Sequence, residues 1–568
     1  MYVKITRSGS RSYVQLVESF RDDNGRVKKR TVATLGRLDA VDGALDSVID
    51  GLMKITGREP LALSPPSPEA TFESARAFGD VWALTGLWNQ LGFSEIRRVF
   101  GRTRHTTHIE ALIRIMVFNR LCNPDSKLGV LRWLETVALP ELDIRAITHQ
   151  QLLRSMDALV DHRAEIDAVV ANLLRPLIDQ DLSVVFYDMT TIRSEGLSEV
   201  SDDVRRYGMS KEGLIARQFM LGVVQTAEGL PIYHEVYDGN TAETKTLLPT
   251  LVKVLERFPA IKRLILVADR GLLSLDNIDA LQNIRLANGQ ALEFIIAVPG
   301  RRYSEFVDLL QPFHAKHCLQ AKAEIIDELA WGTLRLVVVH DPDTAAAQTQ
   351  QRNERIDALI KQADAWTGKL DSQDEGVKHR GRKISDSGAK ARFFHAVTEA
   401  HLSRIIKVDM KADLFRYRID ESAKKLAELM DGKLLLVTNT SGKTLSPTAV
   451  VARYKSLADI ERGFRVLKSE LEIGPCYHRL PERIRAHAAI CFMALILYRV
   501  MRSRLHAANI GLSPERAIAQ LQRIQHHRVR INGGKAMTGL SSLTTRQNEV
   551  IDAIGLEKPT APQQLLLL

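Results

Sequence analysis

Between residues 182 and 298 the chain alternates short apolar, β-rich runs with turn and helix signals, and this order most constrains what it can fold into. Strands are expected at Val184–Tyr187, Phe219–Gln225 and Ile232–Tyr237, with a Glu228-Gly229-Leu230-Pro231 turn between the last two. A helix is expected at Glu243–Arg257, then a strand to Asp269, a helix near Ser274–Gln282 and a strand at Phe294–Val298. Three strands, a helix, a strand, a helix and a strand make a mixed α/β sheet. The first three strands are close enough in sequence to be antiparallel neighbours. Two of the apolar runs stop at a carboxylate, Ser183-Val184-Val185-Phe186-Tyr187-Asp188 and Leu264-Ile265-Leu266-Val267-Ala268-Asp269. A strand-ending Asp often caps a turn. In α/β sheets, however, ligands bind beyond the carboxyl ends of strands, and burying an unpaired carboxylate is costly.

A third carboxylate, Glu461, lies in a helical stretch from Tyr454 to Lys468. At about 100° per residue, Tyr454 and Lys468 return to the Glu461 face and Arg465 falls close by. Ile460, Phe464, Leu467 and Leu471 form the opposite, packing face. A carboxylate flanked by cations suits a phosphate-backbone substrate, although an amphipathic surface helix carries such charges too.

The flanks fill in the rest. The length of 568 residues suggests several domains. Residues 1–38 read as strands, with a hairpin turn at Asp23-Asn24-Gly25, and the arm is taken as 1–40. A Pro/Ser linker follows at Ser64–Pro68, and residues 70–178 read as helices, as scaffold or DNA-binding region. In that block Ile109, Leu112, Ile113 and Met116 recur at helical spacing, and Thr148 opens a helix. The mixed sheet takes 182–300, an inserted α+β subdomain 301–430, and the remainder of the core with the Glu461 helix 431–475. The polar stretch Lys378–Lys383 in the insertion reads as a basic loop, and 476–568 as a basic helical end. The formal charge is +10, with 15 Lys/Arg against 6 Asp/Glu in 451–530 and 9 against 3 in 1–38. Such surfaces attract phosphate backbones, as well as aiding solubility.

Other chemistries are poorly supported. Cys122, Cys318, Cys476 and Cys491 are scattered, with no disulfide or zinc-ribbon spacing, which fits a reducing cytoplasm. His314, His317 and Cys318 lack the second half of a zinc site. Ser441-Gly442-Lys443-Thr444 resembles half a P-loop, but Val437 stands where its first Gly belongs, and Pro447 is expected to disturb the following helix. No apolar leader begins the chain, and the run Ala488–Tyr498 is too short to span a bilayer.

Taken together, Tyr187-Asp188-Met189-Thr190-Thr191, Val267-Ala268-Asp269-Arg270-Gly271 and Tyr454…Glu461…Lys468 resemble the DDE transposases of bacterial insertion sequences. That group belongs to the RNase H-like superfamily and carries the signature Y-x2-R-x3-E-x6-K. Tyr454, Glu461 and Lys468 fall at its spacing, while Leu457 takes the Arg position, with Arg453 and Arg465 nearby. Tyr207–Lys211 and Asp238–Thr241 also look like this group. The resemblance implies an RNase H-like mixed sheet with Asp188, Asp269 and Glu461 holding two Mg²⁺ ions, or Mn²⁺ as a substitute. It implies that Tyr454, Arg465 and Lys468 grip double-stranded DNA, both the element's terminal inverted repeats and the target, with the protein acting as a homodimer. A non-catalytic DNA-binding derivative and a structure-selective nuclease with the same core are the alternatives. The presence of all three carboxylates argues against the first.

Overall fold

The computed structural model describes residues 1–38, 44–57, 70–101, 108–139, 147–179, 183–196, 203–209, 213, 215–272, 275–376 and 383–560. They form two compact units, one of Met1–Glu73 with Arg528–Met537 and one of Ser74–His527 with Thr538–Leu568. Ser64–Pro68, Ser210, Lys211 and most of the basic loop at Lys378–Lys383 lie outside the described residues.

In the first unit, β1 (Tyr2–Ser8), β2 (Arg11–Arg21) and β3 (Val27–Arg37) form an antiparallel meander. The turn between β2 and β3 is held by Asp22, whose carboxylate accepts the backbone N–H groups of Asn24 (3.1 Å) and Arg26 (3.0 Å). Gly25 takes the left-handed conformation there, at φ +76°. Lys28, Lys29 and Arg30 on β3 are exposed, and Arg30 pairs with Glu18 across the ladder at 2.8 Å.

The second unit begins with β4 (Ala70–Ala77), whose first residues belong to the other unit, followed by helices. The helix Ile109–Cys122 is buried almost all round, so its apolar residues line a core rather than a surface stripe. Thr148 and Gln151 form a reciprocal capping box at the start of His149–Asp161. Both helices pack on the 27-residue helix Pro481–Ala507. That helix is long and apolar enough to cross a membrane, but 89% of its most apolar window is buried inside the protein, as befits a core helix. The C-terminal stretch is not wholly helical, because strands Gln525–Ile531 and Met537–Leu540 follow the helix Pro514–Gln522.

Among the described residues the main sheet has nine strands. In chain order these are β5 (Ser183–Arg193), β6 (Arg206–Met209), β7 (Ile215–Thr226), β8 (Pro231–Asp238), β9 (Leu264–Ala268), β10 (Glu293–Ala297), β11 (Ile325–Trp331) and β12 (Leu334–His340). A separate two-stranded piece, β13 (Ile406–Val408) with β14 (Tyr417–Ile419), intervenes before the ninth strand, β15 (Lys433–Thr438). β5 pairs antiparallel with β7 and β7 with β8, while β9 runs parallel to β5 and β10 parallel to β9. The strand order across this half is therefore β8-β7-β5-β9-β10. Leu264 to Ala268 and Phe294 to Ala297 are fully buried, as expected for parallel strands covered on both faces.

Stretch 301–430 divides between two structures. Its strands β11 and β12 join the main sheet through β15, which pairs antiparallel with both β12 and β10. Its helices Pro342–Asp374 and Asp386–Glu399 close a second apolar core around Phe393, Phe415 and Ile406.

Candidate active site

Asp188 does not end its strand. β5 runs on through Thr190, Thr191 and Ile192 to Arg193, because β7 continues to pair with it there. The apolar run stops at Asp188 for a different reason: its neighbour β9 stops. The parallel pairing of β5 and β9 ends at Tyr187↔Ala268, so Asp188 and Asp269 are the next residues in that register. Neighbouring strands lie about 4.8 Å apart, so Asp188 and the residue after β9, Asp269, are neighbours along the chain paths where the pairing ends. Asp188 is 8% exposed, and its Oδ1 accepts the backbone N–H of Met189 at 2.7 Å. On the other face Tyr187 donates to Thr246 Oγ1 at 2.8 Å, which anchors β5 from below.

The stretch expected as one helix from Tyr454 to Lys468 is three segments. The helix Pro447–Lys455 ends in a turn at Ser456-Leu457, a second helix covers Ala458–Arg465, and a π-helical turn covers Val466–Glu470. The wider π turn shifts Lys468 off the phase that a continuous α-helix would give it relative to Glu461. Pro447 does not disturb its helix; it stands at the first position, where its missing N–H costs nothing.

These segments cross the sheet over the two aspartates. Tyr454 donates its hydroxyl to Asp269 Oδ1 at 3.0 Å. Burial and the adjacent Asp269 carboxylate both push the Tyr454 phenol above its ordinary range, so it stays protonated as a donor. The helix Ala458–Arg465 packs on β5. A Cβ on Gly463 would lie 3.2 Å from Gln225 Oε1 and 3.0 Å from Arg499 Nη2, so the absence of a side chain permits that approach. Gln225 is the β7 partner of Phe186, and Phe186 shares a sheet face with Asp188 two residues on. The chain therefore runs from Asp269, at Tyr454, to the Asp188 face, at Gly463, and Glu461 lies between these two contacts. Glu461 and Arg465 are exposed, and Lys468 is half-buried.

Leu457, at the signature's Arg position, is 7% exposed and belongs to the core. Arg453 does not replace that Arg at the site. It is half-buried, with its charge disfavoured first by burial and then by Arg263, near Glu293. Arg263 and Glu293 stand at the starts of β9 and β10, the opposite end of these strands from Asp269. The cation beside the Tyr454–Asp269 pair is Arg270, whose charge opposes the rise in the phenol. Glu243 is a further acid nearby: a Cβ on Gly271 would stand 2.3 Å from its Oε2. Sequence reasoning missed both roles, although Arg270 directly follows Asp269 and Glu243 lies just beyond Asp238–Thr241.

The donors here are hard carboxylate oxygens of the kind that bind Mg²⁺ or Mn²⁺, and two of them are register neighbours, so the residues suit such ions. Among the described residues no three His, Cys, Asp or Glu side chains are already gathered closely enough to hold a metal. His314 is engaged otherwise than in a zinc site, with its Nδ1 3.0 Å from the Lys433 ammonium.

Residues 179–497, more than half of the chain, match the family model described as transposase DDE domain. Residues 3–65 match the model for the N-terminal domain of IS1634 family transposases. No curated protein matches.

Proposed function

The chain belongs to the DDE transposases of insertion sequences, and on that premise we propose that it cuts the ends of its element and joins them to target DNA. The observation that carries this reading is the register adjacency of Asp188 and Asp269 beneath the Tyr454–Glu461 segments. The order β8-β7-β5-β9-β10, with its two antiparallel and two parallel pairings, supports an RNase H-like core.

In this reading Asp188, Asp269 and Glu461 hold divalent ions, Mg²⁺ or Mn²⁺. When bound, two such ions supply activation of an attacking water or DNA 3′-OH and stabilise the leaving oxygen in an in-line displacement. Tyr454 orients Asp269 by fixing one of its oxygens, leaving the other oxygen for ligation. Arg270, Arg465 and Lys468 offer positive charge to the phosphates on either side of the cut bond. No covalent protein–DNA link is required. The substrates are double-stranded DNA, the terminal inverted repeats and the target, with the protein working as a homodimer. The basic surplus in 451–530 supports a phosphate-backbone partner.

The test is a joining assay with a linear fragment ending in the repeats that border the reading frame and a supercoiled plasmid as target. Joined product in Mg²⁺ supports transposition. Cleavage without joining would reduce the reading to a nuclease on the same core, and binding without cleavage to a DNA-binding derivative.

A further inference from the structure

Three helices of the second unit begin at one cavity: Lys127–Thr136, His149–Asp161 and Pro481–Ala507. Ser126 and Thr148 cap one N–H each of the first two helices, and the third opens at Pro481, but each N-terminus still presents the positive end of a helix dipole, and three such ends together favour an anion. The cavity has a volume of about 540 Å³, within the range of small-ligand pockets.

The walls add a second, independent signal. Lys127 lines the cavity, is 6% exposed, and makes no hydrogen bond or ion pair with any described residue. Burying an ammonium without a counter-charge is costly. Burial, then the neighbouring Arg120, pushes this amine down to about 8, so it remains charged at neutral pH. Arg120 is itself nearly buried and spends its guanidinium on the carbonyls of Leu471, Glu472 and Asp125, so its charge is not neutralised there. Asp125 and Glu472 also line the cavity; the Asp125 carboxylate is engaged by Arg132 and the Ser126 N–H, and Glu472 is exposed. Tyr477, 70% exposed, presents an aromatic ring beside the charged pocket.

The cavity also has a fixed relation to the aspartates. Cys476, in its wall, bridges to Ser194, just past the end of β5. Ser194 is six residues beyond Asp188. At about 3.3 Å per residue that is roughly 20 Å, the rise of about six base pairs of duplex.

We propose that this cavity seats a backbone phosphate of the bound DNA, some six nucleotides from the bond that is cut, with Lys127 as its counter-charge and Tyr477 against the adjoining nucleotide. The assignment rests on DNA being the substrate. Its spacing from the cut bond rests also on Asp188 marking that bond, while the seating of a phosphate does not.

The test uses the full chain and duplexes of the terminal repeat, each carrying one uncharged methylphosphonate at a successive backbone position. Inorganic phosphate is titrated in parallel. The unmodified protein is expected to lose about tenfold in affinity at one position near six nucleotides from the cut. Lys127→Met is expected to bind unmodified DNA about tenfold more weakly and to be indifferent to that position. Tyr477→Ala, at an exposed residue, is expected to show a partial loss at the same position and guards against misfolding of the lysine variant. Saturable binding of inorganic phosphate that Lys127→Met removes, with an unchanged methylphosphonate profile, would assign the cavity to a free anion and overturn the proposal. Variants indistinguishable from the parent with both probes would also overturn it. Neither probe needs cleavage, so a protein that binds but does not cut leaves the phosphate assignment standing and removes the catalytic reading together with the six-nucleotide spacing.

Discussion

Asp188, on β5, and Asp269, the residue after β9, stand one step past the Tyr187↔Ala268 pair that closes the parallel register of the two strands. Their backbones adjoin where β9 has ended and β5 continues. Two carboxylates brought together there would repel, and a cation between them would relieve that repulsion. The Tyr454 hydroxyl is already committed to one of them.

That commitment makes Tyr454 a positioning residue for Asp269. Tyr454→Phe removes one hydrogen bond to a carboxylate, worth roughly 1.5–3 kcal/mol. The expected result is a rate of cleavage lowered about tenfold or more and a higher Mg²⁺ requirement, with DNA affinity nearly unchanged. Cleavage measured over a Mg²⁺ series, beside a binding titration, checks this. A loss confined to DNA affinity would instead make the phenol a phosphate contact.

Gly463 sets how closely the Glu461 helix approaches the sheet. Gly463→Val inserts a side chain whose Cβ would lie 3.0 Å from Arg499 Nη2 and 3.2 Å from Gln225 Oε1. Overpacking of this kind costs about 1–3 kcal/mol. A lowered melting temperature is expected, with cleavage falling further than stability explains because Glu461 is displaced with the helix. Activity equal to the parent's at a temperature where both are folded would show that the approach does not matter.

The elements that carry the three carboxylates are largely legible in the sequence. The strands around Asp188 and Asp269 follow from apolar runs bounded by turns, and the Glu461 segment from its helical spacing. What local pattern does not carry is pairing. Nothing near Asp188 says that β9 ends one residue earlier in register, so the continuation of β5 to Arg193 was hidden. The break at Ser456-Leu457 was hidden too, because Leu457 fits an apolar helical face as well as the buried corner it occupies. The Tyr454–Asp269 bond joins residues far apart in the chain, and the convergence of three helix starts on Lys127 is likewise a product of tertiary packing. β11 and β12 read as an insertion because they follow the last parallel strand, yet they extend the same sheet through β15.

Lys468, on the π-helical turn, is expected to contribute charge to DNA binding rather than chemistry. Lys468→Ala should reduce the slope of log affinity against log salt by about one and weaken binding with little regard to base sequence. A titration over several salt concentrations measures it. An unchanged slope would return Lys468 to a purely structural place on the turn.

Away from the site, Glu235 on β8 is 6% exposed and accepts from Arg163 at 2.8 Å, Lys253 at 2.7 Å and Tyr233 at 2.7 Å. Burial alone would raise its carboxyl, but Arg163, Lys253 and Tyr233 outweigh burial and lower it from 4.5 to about 2. A depressed carboxylate stabilises the fold above its unfolded value and loses that contribution as pH falls through the folded value. Glu235→Gln should therefore cost about 3 kcal/mol at neutral pH. The deficit should shrink between pH 4.5 and about 2 as the parent's own carboxylate is protonated. Denaturant unfolding at several pH values reads both; a deficit independent of pH would point to packing instead of charge.

Whether the three carboxylates cut DNA is decided by cleavage of a terminal-repeat duplex by the parent chain and by Asp188→Asn, Asp269→Asn and Glu461→Gln, in Mg²⁺, in Mn²⁺ and in EDTA. Each substitution removes a ligand charge while keeping size. Cleavage by the parent is expected with either ion and none in EDTA, with a loss of at least about a hundredfold in each variant while DNA binding is retained. Cleavage that persists in EDTA, or in any one of the three variants at the parent's rate, would contradict this expectation.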